Sequence, residues 1–223
     1  MAMDPTRSDE AVLSTRYKDR QDWPDNYQYK DVKGARIARL IAEGGLPSVA
    51  LEIGVGRGGV AVAVSQRGVP VVGLELSPDI LEHAKAHVRG QQVRLLQGSG
   101  FSLPFLDQSL PLVYASQVLH LFDSPSRQVL IREVHRVLRP GGRFIFDMKN
   151  LPMHLLRYLR SDSAKRKRNY PPKSAIVALL EEAGFTAVTT RPGVLPLVGG
   201  ENVPNLSLLR AMAHTTFFVA TRS

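Results

Sequence analysis

Short apolar runs that alternate with amphipathic stretches constrain this chain more than any other feature. "SVALEIG" (residues 48–54) is a short apolar segment that runs into a glycine-rich loop, and "GGVAVAVSQRG" behind it has helical spacing. "VPVVGLEL" is a second apolar run, of the continuous kind found where a strand is covered on both faces. Ser77-Pro78 reads as a helix start, with serine as N-cap and proline at the first helical position, followed by Ile80, Leu81, Ala84 and Val88 on one face. "QQVRLLQG" and "LPLVYASQ" are the third and fourth strands. Ser124-Pro125 starts another helix in the same way. Its apolar stripe is Leu130, Ile131, Val134, Val137 and Leu138, and Pro140-Gly141-Gly142 is expected to end it. "RFIFDMK" is the fifth strand. Ser174 to Ala183 is a helix that stops at Gly184, and "FTAVTTRPG" and "HTTFFVATRS" are two further strands.

This order predicts an α/β fold: a Rossmann-like, seven-stranded, mostly parallel sheet with helices on both faces. The last two strands lack a helical pattern as strong as those before them, so an antiparallel hairpin is expected at the C-terminal edge. A length of 223 residues suits a single domain. Within it, residues 1–44 read as an N-terminal helical cap, with a helix over Val32 to Glu43 that places Ile37, Leu40 and Ile41 before Gly44-Gly45. Residues 45–150 form a cofactor-binding core, 151–172 a basic lid-like insertion, and 173–223 a C-terminal helix with the edge strands.

Composition narrows the classes. Hydrophobic residues make up 43%, enough for a packed core, which argues against global disorder. The chain has no cysteine, so disulfides, thiolate metal sites and cysteine nucleophiles are excluded, and no metal site is expected. No apolar run approaches the ~20 residues that span a bilayer. "MAMDPTRSDE" is too polar for a secretory signal, and a cytoplasmic location is expected. The net charge of +9 is partly local, because six basic residues fall in "RYLRSDSAKRKR", Arg157 to Arg168. Such a stretch suits an acidic or phosphorylated substrate, or a membrane surface.

Gly54, Gly56 and Gly59 in "LEIGVGRGG" spell G-x-G-x-x-G, the dinucleotide fingerprint. A strand-to-helix turn of this kind lets a ligand approach the backbone closely. Glu52 is at odds with a dinucleotide, because an acid at the strand end repels a pyrophosphate. The same acid can orient an ammonium group, which S-adenosylmethionine carries. The competing role for Glu52 is to cap nearby backbone N–H groups. Glu75 follows Gly54 by 75 − 54 = 21 residues, the offset of a ribose-binding acid. Both kinds of cofactor have a ribose, so Glu75 does not separate them.

Five segments extend this reading. "LEIGVGRGG", "VVGLELSPDILEHAK", "GSGFSLPFLDQSLPLVYASQVLHLF", "EVHRVLRPGGRFIF" and "LLEEAGF" follow one another within residues 45–192. In this order the chain resembles the class I S-adenosylmethionine-dependent methyltransferases, in the small-molecule branch labelled type 11 or ubiquinone/menaquinone-biosynthesis-like. The resemblance implies S-adenosyl-L-methionine as cofactor, held by Glu52, Gly54, Gly56, Gly58, Glu75, Leu76, Ser99, Gly100, Phe101, Ser116 and Gln117. Two departures stand out. Ser99 occupies the place of an Asp that contacts the adenine amino group in the family, and Leu110-Pro111 replaces a usual Phe-Asp.

The resemblance puts Ser116, Gln117 and Val118 near the methionine part of the cofactor. His120, directly after them, is the candidate general base, against the alternative of a loop-packing histidine. His135, on an expected helix, reads as structural or exposed. Tyr17, Tyr27 and Tyr29 are candidates to close over the cofactor or to pack. The segment Asn150 to Pro172 is expected to cover the substrate, and Leu195 to Ala213 to supply a second wall. The expected activity is in-line methyl transfer to a small-molecule acceptor, with an acidic one favoured by the basic stretch. A nucleic acid is the runner-up. Against it, "ASQVLHLF" stands where amino-methylating nucleic-acid enzymes often carry Asn/Asp-Pro-Pro-aromatic. A non-catalytic cofactor-binding regulatory subunit is the alternative of another class.

Overall fold

The computed structural model describes residues 10, 27–149, 171–193 and 215–223, the side chains of 27–31 excepted. In chain order the elements are α1 (Tyr27–Ala42), β1 (Ala50–Ile53), α2 (Gly59–Ser65), β2 (Val71–Glu75), α3 (Pro78–His87), β3 (Val93–Gln97) and β4 (Leu110–Ala115). A single 3₁₀ turn (Leu119–Leu121) follows, then α4 (Ser124–Val137), β5 (Leu138–Lys149), α5 (Lys173–Glu182), β6 (Phe185–Pro192) and β7 (Thr215–Arg222).

The strands form one seven-stranded sheet in the order β3-β2-β1-β4-β5-β7-β6. β1 to β5 pair in parallel. β7 lies antiparallel between β5 and β6, which gives the expected edge pair. The order reverses between β1 and β4, so a crevice opens at the carboxyl ends of these two strands. In open α/β sheets ligands bind at such a switch point.

Strand residues alternate between two buried faces. Leu51 and Ile53 of β1, with Phe144 and Phe146 of β5, pack with Leu130, Ile131 and Val134 of α4 and Ile176 and Leu180 of α5. Tyr114, Ile145 and Phe217 pack on the opposite face with Ile37, Leu40 and Ile41 of α1 and Val60 and Val64 of α2. Each large apolar side chain buried this fully contributes about 1.5–3 kcal/mol.

Helix ends confirm some sequence expectations and correct others. Ser77 caps α3 as expected, its Oγ accepting from the Ile80 N–H at 3.4 Å. At α4 the cap is Asp123 and not Ser124. The Asp123 carboxylate accepts from the Ser126 N–H at 3.0 Å, and Ser124 is the first helical residue. A charged acceptor makes the stronger bond and complements the helix dipole, so it displaces the neighbouring hydroxyl. Pro140-Gly141-Gly142 does not end α4. The helix stops at Val137, Leu138 opens β5, and the Pro-Gly-Gly run forms an irregularity in that strand. There the pairing jumps from Leu110–Leu138 to Leu112–Arg143, with Gly141 at φ 73°.

Arg222 supplies the α4 terminus from a distant strand. Its guanidinium donates to the carbonyls of His135 at 2.7 Å, Arg136 at 3.0 Å and Leu138. These carbonyls have no partner within the helix, and a cation suits that end of the dipole. α1 begins at Tyr27 and not at Val32, because its first turn has no apolar periodicity that a sequence pattern registers.

Among the described residues no helix is long and apolar enough to cross a membrane. Tyr17, Arg157 to Arg168 and Leu195 to Ala213 lie outside the described residues.

Candidate active site

The glycine loop leads from β1 to α2. Gly54, Gly56 and Gly58 have φ values of 71°, 55° and 87°, a region that side-chain-bearing residues rarely enter. The loop is fastened to β2, because the N–H groups of Gly54 and Val55 both donate to the Leu74 carbonyl, at 2.8 and 2.9 Å. A Cβ on Gly54 would stand 2.6 Å from Val118 and one on Gly58 2.6 Å from Val88, whereas a Cβ on Gly56 would meet open space. Packing therefore excludes side chains at Gly54 and Gly58, and the open flank of Gly56 leaves room for a ligand.

Glu75 ends β2 beside this opening. Its Oε2 accepts from the Gly56 N–H at 3.0 Å, and its Oε1 from the N–H groups of Leu76 at 2.9 Å and Ser77 at 3.1 Å. Burial pushes the Glu75 carboxyl above its ordinary range, against the pull of the three backbone donors. A carboxylate offers about four acceptor positions, and the three backbone donors leave one of them for a further donor such as a ribose hydroxyl.

Glu52 sits lower in the sheet, 1% exposed. It is level with Tyr114 of the neighbouring β4, whose hydroxyl donates to Glu52 Oε2 at 3.0 Å. Burial drives the Glu52 carboxyl well above its usual range, the Tyr114 hydrogen bond opposes this, and the nearby Glu75 charge adds to it. Neither oxygen is bonded to the glycine loop, so the alternative of a backbone cap has no support among the described contacts.

The loop after β3 holds Ser99, Gly100 and Phe101. Ser99 Oγ accepts from the Phe101 N–H at 3.0 Å and donates to the carboxylate of Glu10. Gly100 packs over Ile53, and Phe101 meets Phe122 edge-on with ring centroids 4.8 Å apart. This wall therefore combines an apolar ring with a polar cluster.

At the end of β4, Ser116 and Gln117 are half-buried. Gln117 adopts φ 61°, left-handed for a non-glycine residue. Its N–H donates to Asp147 Oδ1 at 2.7 Å, and the other oxygen of Asp147 accepts from Lys33 Nζ at 2.5 Å. Burial alone would raise the Asp147 carboxyl. Lys33, the Gln117 N–H and the nearby His120 together hold it below the ordinary Asp value. Lys33 and Asp147 escaped the sequence reading. The available signal was Lys33 four residues before Ile37, on the apolar stripe of α1.

His120 lies on the 3₁₀ turn. The buried Arg127 ties that turn down, with Nε donating to the Leu119 carbonyl at 3.1 Å and a terminal nitrogen to the Phe122 carbonyl at 2.6 Å. His135, read as structural or exposed, packs edge-on against Phe185 at 5.1 Å, and burial lowers its pKa. The side chains of Tyr27 and Tyr29 lie outside the described set.

Glycine loop, Glu75 and Ser99–Phe101 thus line the carboxyl ends of β1, β2 and β3, and Ser116 to His120 with Asp147 those of β4 and β5. Together they line the switch point of a Rossmann-like sheet, with the open flank and fixed acceptors that a nucleoside cofactor needs. Residues 51–146 match the methyltransferase-domain family model. An uncharacterized methyltransferase of Synechocystis is 33% identical over 62% of this chain and 66% of its own length. The fatty-acid O-methyltransferase of Mycolicibacterium smegmatis is 35% identical over 52% of this chain and 38% of its own length. The chain thus spans about half the length of these curated relatives, between 38% and 66%. Magnesium protoporphyrin IX methyltransferase from Synechocystis, solved with bound SAH, shares the fold with a TM-score of 0.66 at 17% identity, over 87% of this chain and 86% of that one. Residues 51–146 thus form a methyltransferase domain, and S-adenosylmethionine is the cofactor that such a domain takes. The open flank of Gly56 and the fixed acceptors of Glu75 fit that group.

Proposed function

We propose that this chain transfers a methyl group from S-adenosylmethionine to a small acidic molecule bound over the carboxyl ends of β4 and β5. The arrangement around Asp147 carries the reading. One carboxylate pins the left-handed turn at Gln117 and lies within electrostatic reach of His120. S-adenosylmethionine supplies an electrophilic methyl group on a sulfonium. Glu75 accepts from the ribose hydroxyls, and the open flank of Gly56 admits the ligand close to the backbone. The pinned turn orients the acceptor, an alignment effect that can supply a large share of the rate.

The methylated atom is a hydroxyl oxygen of that acidic molecule: it bonds to the methyl carbon as the methyl–sulfur bond breaks and SAH leaves, His120 takes up the hydroxyl proton on its imidazole, and the negative Asp147 stabilises the imidazolium that results. Arg127 keeps the turn that carries His120 in register. The acidic character of the acceptor rests on the net charge of +9, the basic stretch Arg157 to Arg168, and the fatty-acid-methylating relative. A long-chain or phosphorylated acid would meet complementary charge there.

The test is SAH release from S-adenosylmethionine with a panel of small carboxylic and phosphorylated acids, and with RNA in parallel. Turnover on a small acid, lost in His120→Asn with cofactor affinity retained, is the expected result. Methylation of RNA and of no small acid would replace the acceptor assignment. Tight cofactor binding with no turnover on any acceptor would instead favour a regulatory subunit.

A further inference from the structure

We propose that Glu10 is the acid that recognises the adenine amino group of the cofactor, with Ser99 as its positioning residue. The strand order places the carboxyl ends of β1, β2 and β3 side by side. Glu75 on β2 is the ribose acceptor, and the methyl end belongs in the crevice between β1 and β4. The base then extends the other way, over the end of β3, where Ser99, Gly100 and Phe101 lie.

An adenine presents an exocyclic amino donor at that end, and burying a donor without an acceptor is costly. The β3 loop offers little to meet it. Ser99 Oγ already accepts from the Phe101 N–H, Gly100 has no side chain, and Phe101 is apolar. What the loop does is donate its serine hydroxyl to Glu10, a residue 89 positions away in sequence. Glu10 thus places a carboxylate where the loop itself has none. A carboxylate has two oxygens and about four acceptor positions, so one serine hydroxyl leaves capacity for an amino group.

The identity of residue 99 fits this. An acid at this position would repel Glu10, whereas a short hydroxyl both leaves room and supplies the donor. Serine in place of aspartate and Glu10 beside it act as one unit: the charge has moved to another part of the chain. The proposal concerns the cofactor side of the site and stands whichever acceptor molecule is methylated.

The test is calorimetric, with SAH and with S-inosylhomocysteine, in which a carbonyl replaces the amino group. Glu10→Ala should weaken SAH binding by about tenfold, the effect of one charge-assisted hydrogen bond. It should leave S-inosylhomocysteine binding unchanged or improved, because the carboxylate no longer faces a carbonyl oxygen. Adding Ser99→Asp to Glu10→Ala should restore SAH affinity by returning the acid to the loop. Unaltered thermal melting of Glu10→Ala without ligand separates recognition from folding. Equal weakening of both nucleosides, no weakening of SAH, or no rescue by Ser99→Asp would overturn the assignment.

Discussion

Lys33 and Asp147 form an ion pair at 2.5 Å with side chains only 2% and 1% exposed. It joins α1 to the carboxyl end of β5. Two further residues on the same face of β5 serve the same helix. Ile145 packs in the cluster that contains Ile37 and Leu40, and Arg143 donates to the carbonyls of Leu40 at 3.1 Å and Ile41 at 2.6 Å. Residues 143, 145 and 147 share a face because side chains alternate along a strand. One strand face therefore seats α1 from Lys33 to Ile41. Lys33→Met leaves the Asp147 charge buried without its cation, and is expected to cost about 3–5 kcal/mol in denaturant unfolding. Lys33→Met combined with Asp147→Leu should recover most of that loss, since the uncompensated charge goes with it.

Glu52 and Asp147 should tilt stability with pH in opposite directions. The folded Glu52 carboxyl titrates above its ordinary value of 4.5, so between that value and the raised one the native state holds more protons than the unfolded chain. Stability from this group is then full below 4.5 and falls as pH rises through the raised value. Asp147 titrates below its ordinary 3.8, so its contribution is present above 3.8 and is lost as pH falls through the lowered value. Unfolding measured across a pH series should show Glu52→Gln gaining on the parent as pH rises. A constant difference between the two at every pH would contradict this.

Removal of the Glu75 carboxylate strands three backbone N–H groups and takes away the proposed ribose acceptor. Glu75→Ala should weaken SAH binding by roughly ten- to a hundredfold, since hydrogen bonds to charged groups contribute about 1.5–3 kcal/mol. Isothermal titration of a variant that still melts cooperatively checks it.

Arg127 offers a way to disturb the turn that carries His120 without altering the glycine loop or Glu75. Arg127→Met removes both donors to the Leu119 and Phe122 carbonyls and fills most of the volume. Turnover should fall while SAH affinity changes little. A parallel loss of SAH affinity would mean that the turn supports the cofactor and not the acceptor.

Neutralising Lys165, Arg166, Lys167 and Arg168 together should raise the KM for an acidic acceptor at low salt and leave cofactor affinity nearly unchanged. The effect should fade as salt shortens the Debye length from about 30 Å at 0.01 M to about 8 Å at 0.15 M. Steady-state kinetics at two ionic strengths read it directly.

The parts that were legible in the sequence are those with local signals. Strand runs, the glycine loop and the 21-residue step from Gly54 to Glu75 each depend on neighbours in sequence, and the expected strands all formed, although β5 opens at Leu138, ahead of the expected Arg143. What was missed is non-local. Lys33 and Asp147 are 114 positions apart and Ser99 and Glu10 are 89 apart, and no periodicity announces either pair. Arg222, Arg143 and Arg127 carry no local sequence signal either, and all three guanidiniums donate to carbonyls at the ends of helices or turns. Local rules also failed where two caps competed, as at Asp123 and Ser124. There the adjacent Pro125 fits either choice, and only the charge on the acceptor favours the aspartate.

β7 lies between β5 and β6 although it follows both in the chain. A ribosome making this protein therefore delivers β6 before the strand to which β6 will bond. Until Thr215 to Arg222 emerge, the edge of β5 stays open from Arg143 to Lys149. This edge carries Phe144 and Phe146, which are fully buried once the sheet is complete. An open, aromatic-rich edge invites pairing with other chains. Synthesis thus passes through an interval in which the cofactor half of the sheet is already paired and the other half is still adhesive. Slow elongation through residues 193–215 would prolong that interval.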